Sequence, residues 1–196
     1  MNNKKRIGVL ALQGAFVEHI TSLKKLKVEA LAIRSAQDLM SLDGLIIPGG
    51  ESTTIGRLMV HYGFVEALRE LSQNGFPIFG TCAGMILLAK SVLALDVETI
   101  GAMDIKVRRN VFGRQVDSFE ASLSVSALGE APFPAVFIRA PIIVQAEAGV
   151  EILARLPDGT PVAARQRNLL VSAFHPELTS DLRFHAYFVD IVSQGG

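Results

Sequence analysis

Pro77-Ile78-Phe79-Gly80-Thr81-Cys82-Ala83-Gly84-Met85-Ile86-Leu87-Leu88-Ala89 is the stretch that decides the fold. Pro77 to Gly80 reads as a short apolar strand, and Gly84 to Lys90 reads as a helix. Gly-x-Cys-x-Gly stands between them. Small residues on either side let a strand turn sharply into a helix, and the residue at the apex is held in a strained, outward-pointing position. A cysteine there sits at a helix N-terminus, where the peptide dipoles favour a thiolate. The backbone N–H of Ala83 is then placed to meet a developing oxyanion. The plain alternative is a small buried cysteine filling a tight turn.

Working outward, strands and helices alternate. Ile7 to Leu12 reads as a strand, and Gly14 opens a helix marked by Phe16, Ile20, Leu23 and Leu26. Val28 to Ile33 and Gly44 to Ile47 read as further strands. Ser52 to Leu71 shows one amphipathic helical face, through Ile55, Leu58, Met59, Tyr62, Val65, Leu68 and Leu71, with Asn74-Gly75 ending it. Alternation of this kind predicts a mostly parallel sheet covered by helices. The second half is richer in short strands. Ile105 to Val107 and Val116 to Val125 flank a turn region at Asn110 to Arg114. Val136 to Ile138, Ile142 to Gln145, Ile152 to Leu156, Val162 to Gln166 and Leu169 to Phe174 follow, and a last helix spans Asp181 to Val192. No linker or repeat interrupts the chain, so residues 1–196 are expected to form a single α/β domain with a small antiparallel extension.

Composition narrows the function. The chain has 196 residues, with 19 Lys+Arg against 19 Asp+Glu, so nothing pulls it toward nucleic acid or an anionic membrane. Hydrophobic residues make up 49% and charged residues 19%, which supplies a sizeable core and excludes disorder. No apolar run approaches the roughly 20 residues needed to span a bilayer. The basic start before Ile7 imitates an export signal, but its apolar run is short and leads into Gln13, Glu18 and His19, so it reads as a first strand. Cys82 is the only cysteine, which rules out an internal disulfide, all but rules out a cysteine-built zinc cluster, and fits a reducing, cytoplasmic setting. Neither a metal nor another cofactor is expected.

A cysteine nucleophile needs a base. His175 ends an apolar strand and is followed by Pro176-Glu177. On an extended chain, residues two apart face the same side, so Glu177 can hold the imidazole while its other nitrogen faces Cys82. His19, His61 and His185 fall in predicted helices and read as partly exposed helix residues. Pro48-Gly49-Gly50-Glu51-Ser52-Thr53-Thr54 again lies between a strand and a helix. It reads either as an oxyanion and substrate loop, with the Gly50 N–H complementing that of Ala83, or as a glycine turn with Ser52 or Thr53 capping the helix. It is no phosphate loop, because the Lys-containing pattern is missing. Lys106, Arg108, Arg109 and Arg114 form a basic group, with Arg139 further on. Arginine suits two-point capture of a carboxylate, whereas Lys106 and Arg108 read as solvated charges.

The Cys82 elbow together with His175-Pro176-Glu177 resembles the class I glutamine amidotransferases. GVLALQGAFVEH, DGLIIPGGESTT, FGTCAGMILLAK, RRNVFGRQVDSFE, VFIRAP and AFHPELT narrow the resemblance to the glutaminases of pyridoxal 5′-phosphate synthesis, nearly end to end. The resemblance implies a three-layer α/β/α sandwich, flavodoxin-like. It implies hydrolysis of L-glutamine to glutamate and ammonia through a Cys82 thioester, with His175 moving protons and Glu177 orienting it. It also implies that Gly50, Glu51, Ser52, Arg109, Ile138 and Arg139 contact glutamine. The implied partner is a (β/α)₈-barrel synthase subunit in a large hetero-oligomer. That subunit would join the ammonia to a pentose phosphate and glyceraldehyde 3-phosphate, and docking on it would awaken the glutaminase. Two other readings of the same residues are a stand-alone thiol hydrolase and a non-catalytic docking module.

Overall fold

A computed structural model describes residues 4–93, 98–109 and 118–194. Its central sheet has seven strands in the order β10-β11-β12-β4-β3-β1-β2. They are β1 (Arg6–Leu10), β2 (Glu29–Ile33), β3 (Gly44–Ile47), β4 (Ile78–Thr81), β10 (Glu151–Arg155), β11 (Pro161–Gln166) and β12 (Leu169–Ser172). The five strands from β2 to β12 run parallel, and β11 and β10 extend that edge antiparallel. β3, β4 and β12 are buried along their whole length, so an unbroken apolar run was their signature. Phe79 projects from one face into α5 (Arg183–Gln194), stacking on Phe184 and packing at a tilt against Phe188. Successive side chains alternate, so Gly80 faces the other way, against α4 (Ala83–Leu88).

The extension is larger and less uniform than expected. β5 (Ala89–Leu93), β6 (Met103–Arg108) and β9 (Ile142–Ala146) form a separate sheet whose β5–β6 pair is parallel. β7 (Ser118–Leu123) pairs antiparallel with β8 (Phe133–Ile138). Two helical expectations need correction. The helix predicted over Ser52 to Leu71 is two helices, α2 (Ser52–His61) and α3 (Phe64–Gln73). Gly63 separates them in a left-handed conformation at φ 70°, while the apolar face continues across the break, which is why periodicity alone joined them. The helix predicted over Gly84 to Lys90 stops at Leu88, and Ala89 enters β5. α4 is buried all round, so its apolar run carried no mark of where helix gives way to strand. The turn expected at Asn110 to Arg114, and the start of the strand expected from Val116, lie outside the described residues.

Candidate active site

Sheet register brings Cys82 and the His175 loop together across their separation in sequence. β12 lies beside β4 in parallel, with Ser172 level with Thr81. The Cys82 N–H donates to the Ser172 carbonyl at 2.8 Å, tying the two strand ends where the chain leaves the sheet. Cys82 has φ 49° and ψ −101°, a conformation that costs a non-glycine residue about 1–3 kcal/mol and is held by the surrounding structure. The elbow closes because its flanks are bare. A Cβ on Gly84 would collide with the Ile47 carbonyl, so α4 can lie against β3 only with glycine there. The thiol itself is buried, and its hydrogen bond is a long one, to the Ile138 carbonyl at 3.8 Å.

His175 is reached differently from the sequence expectation. β12 ends at Ser172, and His175 sits in the loop beyond it, its N–H donating to the Val136 carbonyl of β8 at 2.8 Å. Pro176–Leu178 then form a single 3-10 turn, so His175 and Glu177 do not share an extended strand. The turn still brings Glu177 Oε1 to 2.7 Å from His175 Nδ1. A carboxylate accepts only, so Nδ1 carries the proton and Nε2 is left for the cleft. Burial opposes charging this imidazole. The hydrogen bonds and charges of Cys82 and Glu177 outweigh it and raise the His175 pKa to about 10. Glu177 is buried too, which by itself disfavours its charge; His19 and His175 hold its pKa below the ordinary carboxylate value instead. Gly49 closes the site from β3. A Cβ there would lie 2.9 Å from His175 Nδ1 and 3.3 Å from the Cys82 Cβ, so only glycine lets the loop pass over the pair.

These groups open onto a cleft of about 500 Å³ at the C-terminal ends of β3, β4 and β12. Cys82, Ala83, His175, Gly50, Glu51, Ser52, Arg109, Ile138 and Arg139 all line it. Every residue expected in the site therefore lines one cleft except Glu177, which stands behind His175. The helix cap was misassigned: Glu51, not Ser52 or Thr53, caps α2, accepting from the N–H groups of Thr53 at 3.0 Å and Thr54 at 2.7 Å. Slight burial works against the Glu51 charge, but the donors of Thr54 and Thr53 hold its pKa at about 2. The same carboxylate pairs with Arg109 at 3.3 Å, and Arg109 also donates to Thr53 Oγ1 at 3.3 Å. Arg109 thus reaches the cleft already anchored. Arg139 sits just past β8 at φ 45°, a second strained residue on the cleft wall. Arg108 is exposed, as expected; Arg114 lies outside the described residues.

Some residues of the site were not anticipated. Gln13, Ile86 and Ser118 also line the cleft, and Gln13 Oε1 accepts the Glu51 N–H at 2.9 Å. Gln13 follows β1 next to the point where the strand order reverses, a position that could have flagged it. His19 and His185, expected to be partly exposed, are fully buried. His19 Nε2 is 3.3 Å from Glu177 Oε2, and His19 Nδ1 is 2.9 Å from His185 Nε2. No cluster of His, Cys, Asp and Glu suited to a metal ion occurs among the described residues. None of their helices is long and apolar enough to cross a membrane.

Known proteins resemble the chain along nearly its whole length. It is 57% identical over 188 residues to "Pyridoxal 5′-phosphate synthase subunit PdxT" of Dehalococcoides mccartyi, covering 95% of this chain and 96% of that protein. It is 56% identical to the protein of the same name from Moorella thermoacetica, covering 95% and 99%. A crystal structure of a glutamine amidotransferase superposes with a TM-score of 0.91 at 48% identity, covering 95% of this chain and 98% of that one. The model of the SNO glutamine amidotransferase family matches residues 9–194. The chain described here belongs to the SNO glutamine amidotransferase family.

Proposed function

We propose that this protein is the glutaminase subunit of a pyridoxal 5′-phosphate synthase, hydrolysing L-glutamine to L-glutamate and ammonia. The observation that carries the reading is the strained Cys82 opposite a His175–Glu177 pair of 2.7 Å, on one cleft with an anchored arginine. The chain is read as one amidotransferase domain, and its strand order supports a flavodoxin-like three-layer sandwich. Arg109 takes the α-carboxylate of glutamine, while Gly50, Glu51, Ser52, Ile138 and Arg139 shape the rest of the cleft. The Cys82 thiolate attacks the side-chain amide carbon, and the N–H groups of Gly50 and Ala83 receive the negative oxygen. The protonated His175 gives its proton to the leaving nitrogen as the C–N bond breaks, leaving a γ-glutamyl thioester and ammonia. Neutral His175 then takes a proton from water, the hydroxyl adds to the thioester, and the C–S bond breaks to release glutamate. Once ionised, Cys82 gives up its hydrogen bond to the Ile138 carbonyl and accepts from His175 Nε2.

The ammonia passes to a partner, a (β/α)₈-barrel synthase subunit of a large cytoplasmic hetero-oligomer, which joins it to a pentose phosphate and glyceraldehyde 3-phosphate. Ammonia released into bulk water is protonated and lost as a nucleophile, so coupling hydrolysis to docking is the economical arrangement. The test is glutamate release by the purified chain with and without the synthase subunit. Turnover that rises on adding the partner is expected. Peptide or ester cleavage without a partner, with no response to glutamine, would instead mark a stand-alone thiol hydrolase.

A further inference from the structure

Behind the cleft lies a buried cluster of polar groups. Glu177 Oε1 is engaged by His175, but Oε2 is buried and has no well-aligned hydrogen bond among the described residues. His19 Nε2 lies 3.3 Å from that oxygen and makes its hydrogen bond to Thr81 Oγ1 at 3.2 Å. The other nitrogen of His19 lies 2.9 Å from His185 Nε2, and His185 Nδ1 has no partner among the described residues. Two arguments fix the protons. A carboxylate oxygen facing a bare nitrogen lone pair would be repelled, so His19 carries its proton on Nε2. His19 Nδ1 is then an acceptor, His185 donates to it from Nε2, and the atom stranded at His185 Nδ1 is a lone pair. The opposite arrangement would strand a buried N–H, the rarer and costlier defect.

We propose that His19 is a positioning residue: its Nε2–H, hydrogen-bonded to Thr81 Oγ1 and 3.3 Å from the second oxygen of Glu177, sets a positive hydrogen against that carboxylate, while His185 fixes its tautomer, so that the carboxylate presents its first oxygen to His175. The role rests on the reading of Cys82 and His175 given above. Thr81 joins it to the elbow, because Thr81 is the last residue of β4 and Cys82 follows it. His19 sits on α1 (Phe16–Lys25), His185 on α5, and Glu177 on the 3-10 turn, so three elements meet at one carboxylate. The charged and titratable groups that act on His19 are Glu177 and His175 from the turn region, His185 from α5, and Glu18 from its own helix. Burial, the largest influence, keeps the His19 pKa below its ordinary value against the pull of Glu177.

The test is carried out on the complex with the synthase subunit, after confirming that the wild type turns over glutamine; an inactive wild type would count against the parent reading and not against His19. His19→Leu removes the donor. It should lower kcat by about 10- to 100-fold with little change in KM. It should also move the acidic limb of the pH–kcat/KM profile up by about one pH unit, because Glu177 loses a donor to its charged form. His19→Gln, whose amide N–H reaches the same place, should recover most of kcat and return the limb. Wild-type kinetics in a folded His19→Leu would overturn the proposal, and so would a folded His19→Gln no better than His19→Leu. A measurement on the unmutated complex guards against misfolding: ¹⁵N spectra of the histidine rings should show His19 with its proton on Nε2 and charging only at a lower pH than an ordinary histidine. A His19 that titrates at its ordinary value, or carries its proton on Nδ1, would contradict the assignment.

Discussion

The two sides of the His175 imidazole are built on opposite principles. Toward the cleft the groups are polar and water-accessible: Arg109 is half-buried and Glu51 exposed, and each is held by neighbours it could trade for a substrate. Toward the interior, Glu177, His19 and His185 are buried, with no bulk water to screen or replace their partners. On the proposed reading substrate enters and leaves on the first side, where contacts are exchangeable. On the second side a proton acceptor must be kept charged in a dry place, which succeeds only if donors are built in. Changes on the dry side should therefore alter the rate of chemistry, and changes on the wet side should alter binding.

The largest effect expected from breaking this contrast lies where the two sides meet. Cys82→Ala should reduce glutamate release by about 10⁴- to 10⁶-fold in the presence of the synthase subunit. Glu177→Gln, on the dry side, should cost about 10³- to 10⁴-fold in kcat while leaving KM nearly unchanged, since the amide can stabilise neither the required tautomer nor the imidazolium. On the wet side, Arg109→Lys should raise KM for glutamine by about 10- to 100-fold with kcat little changed, because a point charge replaces a two-pronged donor. Steady-state kinetics on the three variants separates the sides.

Acid should sharpen the comparison further, through stability. Burial, with His19 adding to it, lowers the His185 pKa from 6.5 to about 3. Between those values the unfolded chain binds the proton and the folded one does not. Stability is therefore full above about pH 6.5 and falls as the pH drops toward 3. His175 works in the other direction: its pKa is raised from 6.5 to about 10, so its contribution is present below 6.5 and lost as the pH climbs through 10. The melting temperature should peak between these windows, and His185→Phe should flatten the acid slope while leaving the alkaline one. The smallest effect belongs to Glu51→Ala. Losing the α2 cap should cost about 0.5–2 kcal/mol in denaturant unfolding.

The wet side was legible in the sequence because strand ends announce themselves. Cys82, Gly50 and His175 each follow an apolar run, and the glycines record how closely the segments approach. The dry side was hidden. His19 and His185 stand on amphipathic helices where a histidine looks like any residue at the edge of an apolar face, and only folding shows that both edges meet at Glu177. The His175–Glu177 pairing was foreseen for an imperfect reason: alternation along a strand suggested it, whereas a 3-10 turn beginning at Pro176 achieves it. The division of the long helix at Gly63 and the passage from α4 to β5 at Ala89 were missed because a continuous apolar pattern says which face is buried, not where the backbone changes course.

The central claim is that Cys82 attacks the side-chain amide of glutamine with His175 as its proton partner. A diazoketone analogue of glutamine, added to the complex with the synthase subunit, tests it directly when the modified residue is located by peptide mass mapping. The account predicts one label per chain, on Cys82, appearing in step with the loss of glutamate release and greatly slowed by His175→Asn. An unlabelled Cys82 in a complex that the analogue has inactivated, or full glutamine turnover by a chain whose Cys82 is blocked, would contradict it.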